Sequence, residues 1–272
     1  MRYRRILALF LPILAVAGCD DDGITDNGAP DPAALVRFMN VVPDRGTVDL
    51  RFIDRVENLP MFQGVAFRSH SGMYQRVTPG ARHVRIFPNS ENPDTTKQIL
   101  IDEVVQLNAD QRYTLIYAGM ATGNQHELVV MQDPITLPSP GAGQIALQVL
   151  HAAVGVGNVD VYITPTEPDE EHADPLNEAV AVINGLGYLS SDGYVNLPAL
   201  PSTGASAYQF TVTNAGSTTP LFTQIVDKPG IPAPSSGSYG AQPGFQIGGS
   251  VMTAVLAAGP AVFLAADKTL DP

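Results

Sequence analysis

The sequence predicts an all-β protein, with two β-sandwich domains in tandem behind an export signal. Three observations support this prediction. Short apolar segments alternate with turn-forming Gly, Pro, Asn and Asp residues, and helical periodicity is scarce. A segment that begins at Val36 has a counterpart that begins at Leu147. The amino terminus has the layout of a targeting sequence rather than of a folded domain.

Residues 1–18 are predicted to be a signal peptide. Arg2, Arg4 and Arg5 supply the positive start, and an apolar stretch follows from Ile6 to Ala17. That stretch is about a dozen residues long, whereas a membrane-spanning helix needs roughly 20. We therefore expect export followed by cleavage, and no permanent span.

The end of this segment resembles a bacterial lipobox, formed by Val16, Ala17, Gly18 and Cys19. The transferase of that pathway needs a thiol as its nucleophile, and the peptidase needs small side chains before the cysteine. The resemblance implies that Cys19, the only cysteine of the chain, becomes an acylated amino terminus. Several acyl chains anchor firmly, at about 0.8 kcal/mol per buried CH₂ group. The alternative is a plain signal peptide with an incidental cysteine.

An acidic segment with few apolar residues, 19–33, is interpreted as a flexible tether. Asp20 directly follows the cysteine, and in enteric bacteria such an aspartate resembles a signal for retention in the inner membrane. The sequence thus predicts a lipid-anchored protein of the bacterial cell envelope, at the periplasmic face of the inner membrane. The alternative is a solvated acidic linker that leaves the choice of membrane open.

The charge balance excludes some classes of partner. Without residues 1–18 the chain has 12 Lys and Arg residues against 27 Asp and Glu residues. Nucleic acid is not expected as a partner, because phosphate contacts require a cationic face. With Cys19 lipidated, no thiol remains for a disulfide or a cysteine metal site, so stability must come from packing.

The repeat relates VRFMNVVPDRGTVDLRF to LQVLHAAVGVGNVDVYI. Aligning Asn40 with His151 also aligns Asp49 with Asp160. In each copy an apolar strand precedes a turn-rich gap and a strand with alternating apolar residues, which is the period of a half-buried β-strand. The two aspartates are predicted to support a turn or an inter-strand hydrogen bond, with ligand binding as the alternative.

The first copy, continued by VAFRSHSGMYQRVTPGARHVRI and RYTLIYAG, resembles the DUF4397 domain, a bacterial domain of uncharacterised function. The second copy keeps the histidine of that family's opening motif but lacks its Pro-Asp pair. The first copy keeps Pro43-Asp44 and has Asn40 in the histidine's place. The resemblance implies two immunoglobulin-like sandwiches, over residues 34–136 and 144–272, in an exported protein. It supplies no catalytic residues, and no cofactor is expected.

Residues 137–144, LPSPGAGQ, are predicted to be a short linker that allows limited bending between the domains. The second domain has two extra loops, residues 164–175 and 227–249, and both are predicted to be exposed. A short helix is expected only near residues 176–182.

Few residues suggest catalysis or metal binding. Ser69-His70-Ser71 places a histidine between two serines, but chain neighbours do not form a catalytic triad. The histidines form no zinc pattern, and no bound metal is expected. One acidic loop offers oxygen ligands for calcium without the spacing of an EF-hand, and a solvated charge run is the alternative. Its residues are Glu167, Asp169, Glu170, Glu171 and Asp174.

Basic residues are concentrated in the first domain. Residues 33–139 hold 10 basic and 11 acidic residues, whereas residues 140–272 hold 2 and 11. If these residues form a cationic face on the first domain, it would contact either the acidic second domain or an anionic polymer of the envelope. The alternative is that the arginines are scattered over solvent-exposed faces. Six arginines lie in or near predicted strands: Arg51, Arg55, Arg68, Arg76, Arg82 and Arg85.

These observations favour a non-enzymatic envelope lipoprotein that presents two sandwiches for contact with a protein or a glycan. Two alternatives remain open, a structural spacer or assembly subunit and a hydrolase acting on envelope polymers. Converging carboxylates in a pocket would favour the hydrolase, and an exposed apolar or arginine-rich patch would favour binding.

Overall fold

The regular secondary structure of the described residues is almost entirely β-strand. The structure, a computed structural model, describes residues 31–54, 61–204, 206–234 and 240–270. These residues form seventeen strands in four sheets, one short α-helix and one turn of 3-10 helix, which confirms the all-β class predicted from the sequence. No helix among them is long and apolar enough to cross a membrane. Residues 32–272 form one compact unit.

The first half of the chain folds into a sandwich of two sheets. Its strands are β1 (Ala34–Asn40), β2 (Val48–Phe52), β3 (Phe62–Val65), β4 (Ser69–His70), β5 (Gln75–Val77), β6 (Gly80–Pro88), β7 (Ile101–Leu107), β8 (Arg112–Met120) and β9 (Gln125–Asp133). Sheet A has the order β4-β1-β8-β9, with β5 also paired to β1, and sheet B has the order β3-β2-β6-β7. The helix α1 (Pro93–Thr96) follows β6, and the 3-10 turn (Thr122–Asn124) joins β8 to β9.

The second half repeats this arrangement. Its strands are β10 (Gln144–Ala152), β11 (Val159–Thr166), β12 (Ala181–Leu186), β13 (Ser190–Pro198), β14 (Ala207–Asn214), β15 (Pro220–Val226), β16 (Val251–Ala257) and β17 (Ala261–Ala266). Sheet C has the order β13-β10-β16-β17, and sheet D has the order β12-β11-β14-β15. In both halves the first strand pairs in parallel with the strand before the last, β1 with β8 and β10 with β16.

Alternating apolar residues form a separate core inside each sandwich, as the strand period of two requires. Phe38 and Leu50 belong to the core between sheets A and B, and both are fully buried. Val161 and Phe210 belong to the core between sheets C and D, and they are fully buried as well.

A third apolar cluster lies between sheets A and C and joins the two sandwiches. Its buried members are Met39, Val41, Ile116, Ala118, Leu150, Ala152, Val255 and Ala265. Because β1, β8, β10 and β16 have a packed sheet on both faces, nearly all of their residues are buried. Each large apolar side chain buried in this way contributes roughly 1.5–3 kcal/mol. The two sandwiches therefore share a core.

The linker between the sandwiches is packed against the second one. The Ala199 amide donates to the Gly143 carbonyl at 2.9 Å. A Cβ atom on Gly248 would overlap the Ala142 carbonyl oxygen, so the linker backbone passes directly over this glycine. The limited bending predicted from the Pro and Gly content is therefore wrong. Composition describes the linker alone, whereas the shared core comes from residues far apart in the sequence.

The segment predicted to be a short helix, residues 176–182, is a turn that leads into β12. The Val180 amide donates to the Ile163 carbonyl at 2.9 Å, so pairing with β11 begins there. The β-branched residues Val180, Val182 and Ile183 suit a strand better than a helix, which explains the difference.

Candidate functional site

The predicted lipidation site lies outside the described residues. This applies to Cys19, to the lipobox residues Val16, Ala17 and Gly18, and to Asp20. The signal peptide and most of the tether also lie outside them. The lipid anchor stays a prediction from the sequence.

The acidic loop of the second sandwich is held by local hydrogen bonds. The His172 amide donates to Gln209 Oε1 at 2.7 Å, and Asn177 Nδ2 donates to both carboxylate oxygens of Asp174 at 2.8 and 3.0 Å. His172 Nε2 lies 3.3 Å from Glu178 Oε2. Among the described residues, no three Asp, Glu, His or Cys side chains are arranged to hold a metal ion. Three of the calcium candidates, Glu167, Glu170 and Glu171, line one depression of the loop. The full set of candidates, Glu167, Asp169, Glu170, Glu171 and Asp174, still forms no cluster of three metal ligands in the described loop.

The two recurring aspartates make inter-strand hydrogen bonds, which is one of the two roles that the repeat predicts. Asp49 Oδ1 accepts the Gly64 amide at 2.8 Å. Asp160 accepts the Gly185 amide and the Gly216 amide, both at 2.7 Å. Gly64 and Gly185 have φ angles of +67° and +64°, a region that favours glycine. Each carboxylate thus ties its strand to a position of the neighbouring strand that favours glycine, where the pairing is irregular. Asp160 also holds the turn at Gly216.

Asn40 and His151 make the same pair of hydrogen bonds in the two halves. Asn40 Nδ2 donates to the Gly46 carbonyl at 2.8 Å, and its Oδ1 accepts the amide two residues further along at 3.2 Å. His151 Nε2 lies 3.0 Å from the Gly157 carbonyl, and its Nδ1 accepts the amide two residues further along at 3.3 Å. Burial lowers the pKa of His151, so its ring is neutral with the proton on Nε2. An amide and an imidazole therefore fill one structural role.

A buried polar cluster lies between sheets A and C, next to their shared apolar core. We call it the interface cluster. The first sandwich supplies basic, hydroxyl and acidic side chains, and the second supplies amide, hydroxyl and acidic ones. Its members are Arg37, Tyr74, Arg112, Thr114, Asp133, Gln148, Tyr194, Thr253 and Asp267.

Arg37 is the centre of this cluster and is fully buried. Its Nη1 donates to Asp267 Oδ1 of the other sandwich at 2.6 Å, and its Nε donates to Thr114 Oγ1 at 2.8 Å. Its Nη2 lies 3.3 Å from Thr253 Oγ1, and its guanidinium carbon lies 4.7 Å from the centroid of the Tyr74 ring. A buried arginine with this many partners is expected to stay charged.

Asp267 receives donors from both sandwiches. The Thr253 hydroxyl and the Tyr194 hydroxyl approach its carboxylate at 2.9 and 3.0 Å, and Arg112 Nη2 donates to its backbone carbonyl at 2.6 Å. Burial raises the pKa of Asp267, and the Arg37 charge and the hydroxyl donors oppose that rise. Burial also raises the pKa of Tyr194, which therefore stays a neutral donor.

Asp133 has a similar environment within the first sandwich. It accepts the Thr114 hydroxyl at 2.6 Å and the Tyr74 hydroxyl at 2.9 Å. Arg112 lies directly opposite it in the register of β8 and β9, with its guanidinium carbon 4.1 Å from the Tyr74 ring centroid. Two guanidinium groups therefore pack on Tyr74, an arrangement in which cation–π attraction adds to the hydrogen bonds.

The interface cluster is arranged to hold the sandwiches together and not to transform a substrate. Asp133 is 4% exposed and Asp267 is 1% exposed, so neither carboxylate is open to a bound molecule. Both already accept several hydrogen bonds from within the protein. A general acid or base must instead reach the proton that it transfers. The carboxylates of Asp133 and Asp267 therefore do not support the hydrolase alternative.

The Ser-His-Ser sequence does not form a catalytic arrangement either. His70 lies in β4, where its Nδ1 accepts the Gly72 amide at 3.0 Å. Ser71 Oγ accepts the Phe38 amide at 3.0 Å. Both side chains are thus used in local hydrogen bonds that fix the short strand beside β1.

Several arginines of the first sandwich reach the acidic second sandwich, which supports one of the interpretations of the charge distribution. Arg68 donates to the Ala258 carbonyl at 2.7 Å, and Arg37 and Arg112 contact Asp267. The other arginines named from the sequence have different surroundings: Arg82 pairs with Asp54, Arg85 with Asp102, Arg51 lies over Phe87, Arg76 lies in β5, and Arg55 is outside the described residues.

An apolar depression of about 350 Å³ opens at one end of the second sandwich. It is lined by residues 153–157, residues 257–260, Leu221 and Phe222, among others, and Leu221 is 44% exposed. In the first sandwich the corresponding turn is clamped by Asp44, whose carboxylate accepts the amides of residues 121 and 122 at 2.8 and 2.6 Å. The repeat puts Gly155 at the position of Asp44, so this carboxylate clamp is missing beside the depression.

The fold and the interface cluster define a pair of β-sandwiches joined through a buried polar contact. Residues 34–162 match the DUF4397 family, described as a domain of unknown function, so this part of the chain carries the domain that the sequence resembles. No curated protein matches the chain.

Two solved structures align with the chain at low similarity. One is a "putative cell adhesion protein" from Bacteroides ovatus ATCC 8483, with 11% identity, 90% of this chain and 98% of that chain covered, and a TM-score of 0.23. The other has the same description, from Bacteroides uniformis ATCC 8492, with 11% identity, coverage of 88% and 97%, and a TM-score of 0.19.

Sequence reasoning missed Arg37 and Arg112, although β1 contained a usable signal. The segment LVRFMNVV is apolar at both alternating sets of positions except for Arg37 and Asn40. A strand that is apolar on both faces is buried on both faces. An arginine inside such a strand must have a buried partner, but the sequence does not say that the partner is Asp267.

Proposed function

We propose that this chain is a non-enzymatic, lipid-anchored protein of the bacterial cell envelope that presents two rigidly joined sandwiches to a protein or glycan partner. The buried contact between sheets A and C is the observation that carries this proposal. It fixes the loops of one sandwich relative to those of the other. Binding surfaces on rigid supports lose less conformational entropy when a partner binds.

The anchor and the location are the parts of the proposal that come from the sequence. Cys19 would carry the acyl chains, and residues 19–33 would hold the sandwiches away from the headgroups. Asp20 supports the periplasmic face of the inner membrane. The chain is acidic, so direct adsorption of the sandwiches to an anionic membrane is disfavoured and the tether sets their distance.

The surface proposed for contact is the end of the second sandwich with the apolar depression. Exposed apolar side chains in a concave surface commonly mark interaction sites. Arg68 binds the carbonyl of Ala258 in the turn that lines the depression, so the first sandwich holds this turn in place. The contact surface would therefore depend on both halves of the chain.

Membrane fractionation tests the anchor. Cys19→Ser is expected to move the protein from the membrane fraction to the soluble fraction, because the acceptor thiol is lost. Thr25→Ser, a conservative change in the tether, is the matched control and should leave the protein in the membrane fraction. Retention of the Cys19→Ser protein in the membrane would contradict lipidation. Separating the two membranes of the same cells then tests the role of Asp20.

Site-specific crosslinking in intact cells tests the contact. A photoreactive residue at position 221 is expected to give a discrete crosslinked species. The control position is 104, because Val104 is 67% exposed and lies in β7 of the first sandwich. A crosslink at 221 but not at 104 would support a specific contact. Identical patterns at both positions, or none at either, would contradict the contact and favour the spacer alternative.

A further inference from the structure

A small depression lies on the outer face of sheet B, in the first sandwich. Its volume is about 210 Å³, and it is lined by Asp49, Arg51, Phe87, Pro88 and Thr96. Pockets for drug-sized ligands measure roughly 300–1,000 Å³, so this depression has room for about one ring. It combines a carboxylate, a guanidinium, a hydroxyl and an aromatic side chain, which together can orient a small polar ligand.

The two central strands of sheet B supply most of this lining. The sheet has the order β3-β2-β6-β7, and Asp49 of β2 lies opposite Phe87 of β6. Leu50 and Ile86 belong to the core, so the alternate residues of both strands face outwards. Each of these strands is paired on both sides, and a peptide therefore cannot bind here by adding a strand to the sheet.

Arg51 has donor groups that can serve a ligand. It is exposed, and its guanidinium carbon lies 5.7 Å from the centroid of the Phe87 ring. Within the described residues Arg51 takes part in no ion pair, whereas Arg85, directly opposite it in the register, binds Asp102 at 2.9 Å. Packing on an aromatic ring orients a guanidinium and leaves its edge of N–H donors open.

Asp49 has an acceptor oxygen that can serve a ligand. Its two described donors, the Gly64 amide and Asn89 Nδ2, both reach Oδ1 at 2.8 Å. In the second sandwich the matching Asp160 instead uses one oxygen for each of two backbone amides. Since a carboxylate accepts through both oxygens, Oδ2 of Asp49 can accept from a molecule in the depression.

The second sandwich does not repeat this site. The strand register puts Thr213 opposite Asp160, at the position that Phe87 has in the first sandwich. Thr213 is fully buried, so a ligand has no access at this position. The repeat also replaces Arg51 by Tyr162, which has no cation to offer.

The lining favours a neutral ligand with several hydroxyl groups. One carboxylate and one guanidinium give it no net formal charge, so an ion attracted by one group is repelled by the other. A hydroxyl group both donates and accepts, and neighbouring hydroxyls can therefore bind both charged groups at once. Phe87 and Pro88 offer apolar contact to the C–H groups of such a molecule.

We propose that this depression binds a neutral sugar ring, as one unit of a glycan. Asp49 accepts from the hydroxyl groups of the ring, Arg51 donates to them, and the exposed Thr96 contacts them at the rim. A single ring has few atoms, so its Kd is expected to be millimolar. The site is separate from the depression of the second sandwich, and the inference depends neither on that surface nor on the lipid anchor.

Saturation-transfer difference NMR of the full-length protein tests this inference. The probes are the neutral methyl glycosides of glucose, galactose, mannose and N-acetylglucosamine, with the methyl glycoside of glucuronic acid as the anionic comparison. At least one neutral glycoside is expected to bind, and to bind more tightly than the glucuronide. The inference is overturned if no neutral glycoside binds at about 10 mM, or if the glucuronide binds most tightly.

Arg51→Ala and Arg85→Ala form a matched pair of variants, because both arginines lie on the outer face of sheet B and only Arg51 lines the depression. Arg51→Ala is expected to weaken binding roughly tenfold through the loss of a charge-assisted hydrogen bond. Arg85→Ala should change the Kd by less than about twofold, and both variants should melt within about 2 °C of the wild type. Equal losses in the two variants, or unchanged binding by Arg51→Ala, would overturn the inference.

Phe87→Trp locates the bound ring, because the chain contains no other tryptophan. The glycoside that binds the wild type is expected either to change the tryptophan emission of this variant or, if the larger ring fills the depression, to lose its saturation transfer. Both results place the ligand beside position 87. Saturation transfer that persists without any change in emission would place the ligand elsewhere and overturn the inference.

Discussion

The ring of His151 gives a quantitative test of the equivalence between the two halves. His151→Ala removes two hydrogen bonds, each of which contributes about 1 kcal/mol. It also removes an edge-on ring contact with Tyr188, at a centroid distance of 5.9 Å, which adds roughly 0.5–1.5 kcal/mol. We therefore expect the free energy of unfolding to fall by about 3 kcal/mol. His151→Asn should lose only about 1 kcal/mol, because Asn40 makes the same two hydrogen bonds in the first half.

The same pair of variants predicts a pH dependence. Burial lowers the pKa of His151 in the folded state, whereas an unfolded histidine titrates near its ordinary value of about 6.5. Below that value the unfolded chain binds more protons, so the stability of the wild type falls as the pH falls. His151→Asn removes this contribution while His70 and His126 remain. Its stability should therefore decrease less than that of the wild type between about pH 7.5 and pH 5.

Urea unfolding followed by circular dichroism is the appropriate assay, because the chain contains no tryptophan to report by fluorescence. The three proteins are compared at both pH values. A His151→Ala protein within about 0.5 kcal/mol of the wild type would refute the assigned hydrogen bonds. An Asn variant as unstable as the Ala variant, or with the full acid sensitivity of the wild type, would refute the equivalence with Asn40.

Three further predictions concern single features of the fold. Burial alone would raise the pKa of the Asp44 carboxyl. Hydrogen bonds from the Thr122 side chain and from the amides of Ala121 and Thr122 outweigh burial and lower this pKa to about 2. Asp44→Ala should speed hydrogen exchange at those two amides, and unchanged exchange would contradict the hydrogen bonds assigned to Asp44. The stability that Asp44 contributes at neutral pH should be lost as the pH falls from about 4 through 2. Gly248→Ala should destabilise the protein by about 2–3 kcal/mol in urea unfolding, because its Cβ would overlap the Ala142 carbonyl, and a neutral effect would contradict the packed linker. Millimolar calcium should leave the melting temperature nearly unchanged, since no three ligands converge in the described acidic loop; a large increase would restore the calcium hypothesis.

Local sequence patterns predicted the strands, the two sandwich cores and the roles of the paired aspartates. These features depend on side-chain alternation and on turn residues close in the sequence, and the repeat gave each of them a second instance. Asp49 and Asp160 could be recognised because both stand at the start of an alternating strand, directly after a turn-rich gap. Such signals require no knowledge of how distant segments pack.

The contact between the sandwiches could not be predicted in the same way. Arg37 and Asp267 are 230 positions apart, and each is a residue type that is normally exposed. The continuous apolar character of β1 indicated that both of its faces are buried. It did not indicate which sheet packs on the second face. The linker was interpreted from its composition alone, so its packing against Gly248 was missed. Long-range pairing is therefore the part of the fold that the sequence left open.

Calorimetry of the full chain tests the central claim most directly, since two sandwiches that share a core and a buried ion pair should unfold as one unit. We predict a single transition in which the calorimetric enthalpy equals the van't Hoff enthalpy, a ratio of about 1. Two resolved transitions, or a ratio of about 2, would show that the sandwiches unfold independently and would contradict the account.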